Sequence, residues 1–252
     1  MNNLFIKARS QLILENPFFG TLCLRLKPVE RDDMPTGAVD GVHLFYNPKW
    51  FESLTALQRV GFLAHEVMHV VLLHITRRQE REPQKWNIAA DYAINNHLIK
   101  ENFILPSGGL IDPEYNDMST EAIYADLPDE NTNHMDPGKC GAVLDHPDKD
   151  GTVGKNSAIE AELTVAIHQA AEAAKAQGKL SGNMETLISE VTNAKVDWKA
   201  VLARFLRANN KSDFTWVRPN RRFIGRGMYL PSLHNPCLEE IAIAVDTSGS
   251  IN

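Results

Sequence analysis

The stretch 58–78, QRVGFLAHEVMHVVLLHITRR, constrains the chain most tightly: it is one apolar helical run with His65, Glu66 and His69 set inside it. An H-E-x-x-H pattern on a helix places two imidazoles on one face, about a turn apart, close enough to share a cation. Glu66, rotated about 100° round the helix, lies beside that cation. Val60, Leu63, Ala64, Val67, Val70 and Val71 are all apolar, so the helix is expected to be buried. A His in an apolar helix is ordinarily a packed core residue. Burying two imidazoles and a carboxylate together, however, costs several kcal/mol unless something compensates. A divalent metal compensates all three at once. The pattern therefore points to Zn²⁺.

A catalytic zinc takes three protein ligands and keeps one position open. His74 does not qualify as the third on a continuous helix. It turns about 140° away from His69 and about 180° from His65. Metzincin spacing fails as well, because Leu72 and Ile75 stand where a Gly and a third His belong. The next helical pattern, 86–99 (WNIAADYAINNHLI), follows a break at Glu82-Pro83. From His69 to the end of the first helix is about 14 Å, and from Pro83 to Asp91 about 12 Å, so an antiparallel hairpin brings Asp91 level with His69. Asn87 and Asn95 share the face of Asp91 and are expected to support the ligands. His97, about 120° off that face, is the second candidate.

The segments HEVMHVVLLH, WNIAADYAIN, LPSGGLIDPEY and MSTEAIY resemble a bacterial zinc-metallopeptidase family that carries a C-terminal von Willebrand factor A-like domain. The similarity continues from NPFFGTLCLRL near the start, through VDWKAVLARFL and FTWVRPNRRF, to IAIAVDTSGSI at the end. It implies a zincin-like domain with His65, His69 and a downstream acid as ligands and Glu66 as base. Asp246, Ser248 and Ser250 follow an apolar strand at 241–245 and resemble the metal-ion-dependent adhesion site of A-like domains, where Mg²⁺ takes oxygen ligands. The remaining ligands of such a site come from later loops, so this A-like domain is expected to be cut short and its Mg²⁺ site incomplete.

The fold class expected is α+β and helix-rich. A zincin-like domain over 1–128 would carry a small β-sheet beside the active-site helix. A mobile loop or linker at 129–157, a helical extension with a connector at 158–235 and the start of the A-like domain at 236–252 would follow. Thr55 with Gln58 forms a capping box that starts the zinc helix, and Ser119 caps a short helix through Leu127. The stretches 21–26 (TLCLRL) and 42–46 (VHLFY) read as strands. The segment 38–46, just before the zinc helix, is the candidate edge strand for aligning a substrate backbone. Tyr92, Tyr115 and Tyr124 are candidate donors to a developing oxyanion. HPDKDGTVG has His146 and Ser157 where a calcium loop needs acids, so no calcium site is expected.

Charge and cysteine content narrow the partners. A net charge of −6 argues against general nucleic-acid binding, so Arg218, Arg221, Arg222 and Arg226 read as a solvated connector. Cys23, Cys140 and Cys237 form no C-x-x-C pair, which fits reduced thiols in a cytoplasm. No apolar run is long enough to span a membrane.

The expected function is zinc-dependent hydrolysis of peptide bonds in a peptide or protein substrate, a zinc-activated water attacking with Glu66 as general base. The alternative is a non-catalytic metal-binding and interaction module whose zinc is structural. The resemblance gives it an ATPase-linked partner, gripped through the full-length A-like domain.

Overall fold

The computed structural model describes residues 2–128, 143–145, 153–192 and 213–234. The chain forms two compact units, Met1–Asn193 and Ala194–Asn252. Among the described residues the molecule is helix-rich with a small three-stranded sheet, an α+β arrangement. No described helix is long and apolar enough to cross a membrane.

The first unit begins with α1 (Asn3–Glu15), capped by the Asn2 side chain, and α2 (Pro17–Arg25), opened by a proline at its first position. The strand expected at 21–26 is therefore the second half of a helix. TLCLRL alternates well enough for a strand, but Pro17 presets the helical φ, and Phe18, Phe19, Leu22 and Cys23 then bury one face. Tertiary packing overrides local β-propensity here.

Strands β1 (Lys27–Glu30), β2 (Gly37–Val39) and β3 (His43–Tyr46) follow. The sheet order is β1-β3-β2, with β1 parallel and β2 antiparallel to β3. The segment 38–46 is thus a hairpin and not one edge strand. Asp40 makes the turn, its Oδ1 accepting from the backbone N–H of Val42 (2.8 Å) and His43 (2.6 Å), and Gly41 takes φ 89°. β2 is the edge strand that packs against the long helix. Its backbone packs closely there, since a Cβ on Gly37 would meet the Phe62 ring at 2.4 Å.

After α3 (Pro48–Ser53), α4 (Ala56–Val71) starts on the expected Thr55–Gln58 capping box and is buried from Val60 to its end. It does not run on to Arg78. Leu73 adopts the left-handed conformation (φ 54°) and a new turn, α5 (His74–Arg77), begins at His74. A leucine in that region costs about 1 kcal/mol or more. The break buries Leu72, Leu73, His74 and Ile75 together, and Arg77 Nη1 donates to the freed Leu72 carbonyl at 2.8 Å.

The returning helix α6 (Pro83–Lys100) has proline at its first position, and the Glu82 side chain caps it by accepting from Gln84 and Lys85 N–H. It runs antiparallel to α4, since Asn95 meets His65 while Trp86 meets His74. A 3₁₀ turn, Pro113–Tyr115, leads to α7 (Thr120–Asp126), capped by Ser119 as expected. One large core joins α1, α2, α4 and β3, and a second, smaller cluster fills the space between α6 and α7.

Of the linker expected at 129–157, Val143 bridges Val39 on β2, and the backbone from Val153 opens α8 (Val153–Ala176). Of the extension expected at 158–235, α8 and α9 (Gly182–Thr192) lie in the first unit, where Arg25 pairs with Glu162 at 3.1 Å. The second unit shows β4 (Asp213–Pro219), α10 (Arg221–Ile224) and β5 (Pro231–His234), β4 pairing antiparallel with β5. Residues 193–212 of the expected helical extension, most of the calcium-like loop and the A-like strand with Asp246, Ser248 and Ser250 lie outside the described residues.

Candidate metal centre

His65 and His69 leave α4 one turn apart, and their Nε2 atoms approach to 3.2 Å. Asp91 on α6 comes to both, with Oδ1 3.4 Å from His65 Nε2 and 3.5 Å from His69 Nε2. One ligand atom from each of the three lies within 4.8 Å of the others, so the set could hold a metal ion. The hairpin bringing Asp91 level with His69 is the one expected from helix rise. His97 is not a member of this group.

Burial decides what such a group needs. His65 and Asp91 are 2% exposed, and His69 and Glu66 are fully enclosed. Asp91 Oδ1 has no aligned hydrogen-bond donor, and neither do the two Glu66 oxygens. At 3.4–3.5 Å the imidazoles attract the Asp91 carboxylate without completing a hydrogen bond to it. Burial pushes the Asp91 pKa up, but the two imidazoles more than offset this and hold it below the ordinary carboxylate value. Glu66 goes the other way, driven far up by burial and by the charge of Asp91. His69 is held down to about 4 by burial, with Asp91 opposing. An orphaned Asp91 oxygen beside two imidazole nitrogens is what a cation would satisfy, and the residues present fit one.

The supporting groups set the imidazole orientation. Asn95 donates its Nδ2 to the Leu110 carbonyl at 2.9 Å, which turns its Oδ1 to His65 Nδ1, also at 2.9 Å. An amide oxygen only accepts, so His65 carries its proton on Nδ1 and a lone pair on Nε2. That is the form a metal ligand needs. Asn87, the other expected support, accepts from the backbone N–H of Val143 at 3.2 Å and does not reach the histidines.

His74 is the buried neighbour of His69 that a continuous helix would not place there. Because α4 breaks at Leu73, the ring returns behind His69, with Nδ1 to Nδ1 at 3.1 Å. Its Nε2 meets Thr120 Oγ1 at 2.9 Å, and its carbonyl accepts from Trp86 Nε1 at 3.1 Å. His74 lies outside the group of three that could hold a metal ion, but its ring is turned towards His69 and not away from it. No Gly or Pro marks the break, so the sequence carries no local signal for it.

The tyrosines are engaged elsewhere. Tyr115 donates to Asp126 Oδ2 at 3.2 Å, the Tyr124 hydroxyl accepts from Glu82 N–H at 3.2 Å, and Tyr92 packs on the Tyr115 ring at 4.9 Å. Of the arginines expected on a solvated connector, Arg221, Arg222 and Arg226 are exposed.

The outer edge of β2 takes an extended segment of the chain itself. Leu144 N–H donates to the Val39 carbonyl at 2.9 Å, and Arg78 Nη2 pairs with Asp145 Oδ1 at 2.6 Å. Val39 and Val143 bridge in the parallel sense. Val143 is linked through Asn87 to α6, one turn before Asp91.

A protein of Thermotoga maritima, itself described only as uncharacterized, is 28% identical over 275 residues, covering 97% of this chain and 68% of its own. No solved structure matches. A family model described as "Putative metallopeptidase domain" matches residues 3–234, and the chain belongs to that family.

Proposed function

We propose that the chain is a zinc-dependent peptidase in which His65, His69 and Asp91 hold the ion and Glu66 is the general base. The observation that carries this is the convergence of two imidazoles and a carboxylate in a fully enclosed space, with the unpartnered Glu66 carboxyl on the same helix. Membership of the metallopeptidase-like family supports it.

When bound, zinc supplies Lewis acidity towards a water and a substrate carbonyl. Glu66 takes a proton from the attacking water and passes it to the leaving amine. Without a cation, burial and Asp91 favour the protonated Glu66 carboxyl; a neighbouring cation works in the opposite direction and favours the carboxylate. Asn95 keeps the His65 lone pair on Nε2 throughout. The substrate is an extended polypeptide lying along the outer edge of β2 by strand addition. That edge already pairs with an extended segment of the chain itself, Leu144 N–H on the Val39 carbonyl and Val143 N–H on Asn87 Oδ1, so the substrate takes the place of 143–145.

Glu66→Gln tests the reading. Zinc content should stay at the wild-type level while cleavage of an unfolded protein substrate disappears. Cleavage at the wild-type rate removes Glu66 from the mechanism.

The completeness of the enclosure favours one second reading, a non-catalytic metal module. Cobalt(II) substitution separates the two. A closed four-residue shell, with no position exchanging with water or a competing anion, would favour the module.

A further inference from the structure

We propose that His74, backed by Thr120, is a positioning residue that holds His69 as its Nδ1–H tautomer when a divalent cation is bound. This rests on the metal reading above. The row of contacts runs from His65 Nε2 to His69 Nε2 at 3.2 Å, from His69 Nδ1 to His74 Nδ1 at 3.1 Å, and from His74 Nε2 to Thr120 Oγ1 at 2.9 Å. All three rings and Thr120 are buried, at 0–3% exposure, so no water completes the pairing from outside.

The assignment follows from counting protons. Asn95 fixes the His65 proton on Nδ1, so His65 Nε2 can only accept. Without a cation, His69 satisfies it by donating from Nε2. His69 Nδ1 is then bare and accepts from His74 Nδ1–H, and His74 Nε2 accepts from the Thr120 hydroxyl. With a cation, the His69 Nε2 lone pair must be free and its proton sits on Nδ1. His74 then accepts at Nδ1 and donates from Nε2, and the Thr120 oxygen becomes an acceptor. Two neutral rings and one hydroxyl rotor therefore have a fully paired arrangement in either state, with the number of protons unchanged. A carboxylate behind His69 could only accept and would fix one register. A hydroxyl at the far end can both donate and accept, which makes the reversal possible.

The break at Leu73 gives this geometry a structural origin. A continuous helix would carry the His74 ring away from His69, whereas the left-handed Leu73 brings it behind. Trp86 Nε1 fixes the His74 carbonyl at 3.1 Å, so α6 helps hold the ring that supports the ligand.

The test measures zinc affinity by competition with a chromogenic chelator, alongside the visible spectrum of the cobalt(II) form. His74→Leu removes the acceptor at similar volume and should weaken zinc by about 10- to 100-fold. His74→Asn puts a carbonyl oxygen near the place of Nδ1 and should recover most of that loss. Thr120→Val should weaken zinc by less than His74→Leu. Nitrogen-15 spectra of the zinc-loaded wild type should show His69 protonated on Nδ1 and His74 on Nε2, a readout that needs no variant to fold. Wild-type affinity in a folded His74→Leu, or a His74 proton on Nδ1 in the loaded protein, overturns the proposal. So does loss of metal as complete as in Asp91→Ala, with an altered cobalt coordination number, because His74 would then be a ligand. Failure of the wild type to take up any zinc would sink the metal reading itself, a result distinct from all of these.

Discussion

Gly61→Ala sets two magnitudes of opposite sign against each other. Gly61 lies inside α4, one turn before His65, where alanine ordinarily stabilises a helix by about 1 kcal/mol. In this fold a Cβ at 61 would meet the Ile104 carbonyl oxygen at 2.2 Å and its carbon at 2.9 Å, whereas ordinary contact begins at 3.4 Å. The 103–105 backbone must therefore retreat by about 1.2 Å, the difference between 3.4 and 2.2 Å. It is not free to do so. Phe103 N–H bonds the Leu98 carbonyl at 3.0 Å, and the Phe103 ring packs edge-on against Phe19 at 5.1 Å. Overpacking of this kind costs about 1–3 kcal/mol, and a backbone obstacle places it at the upper end. The net expectation is a loss of about 1–2 kcal/mol, or a Tm lower by about 2–8 °C, read by thermal and urea unfolding of the metal-free protein. Unfolding at or above the wild-type temperature would mean that helix propensity wins. The close seating of the 103–105 strand of chain on α4 would then be refuted.

Two further expectations concern groups sealed in the core. His69 is held down to about 4 against an ordinary 6.5, so between those values the unfolded chain binds a proton that the fold excludes. Stability of the metal-free protein should therefore fall as pH drops from 6.5 to 4, by about 3 kcal/mol from this group, and recover on raising it. Urea unfolding at stepped pH checks this, and a slope unchanged in His69→Gln would remove His69 as its source. Cys23 is 1% exposed and burial pushes its thiol up to about 12, so alkylation followed by peptide mapping should leave it unmodified in the native protein. Labelling of Cys23 at the rate seen in denaturant would contradict that burial.

The parts of the site readable from the sequence are those that helix geometry alone controls. Spacing put His65 and His69 on one face, and rise per residue placed Asp91 opposite and Asn95 among the supports. Thr55–Gln58 and Ser119 were legible because capping is local chemistry. The errors arise where tertiary packing overrides a local pattern. TLCLRL alternates like a strand, yet Pro17 and the apolar face of α2 make it a helix. The Asp40-Gly41 dipeptide was a readable turn signal inside 38–46, and it separates β2 from β3. The break at Leu73 had no such mark, since burial of four consecutive side chains and the Arg77 bond to Leu72 stabilise it from outside the segment. With that break unseen, the role of His74 was out of reach.

Metal analysis of the purified chain, wild type beside Asp91→Ala, bears most directly on the convergence of α4 and α6 upon a cation. One zinc per wild-type chain is expected, with most of it lost in Asp91→Ala while the helical circular dichroism is retained. A wild type that binds no metal under zinc-replete conditions, or an Asp91→Ala chain that keeps its full complement, would contradict the account.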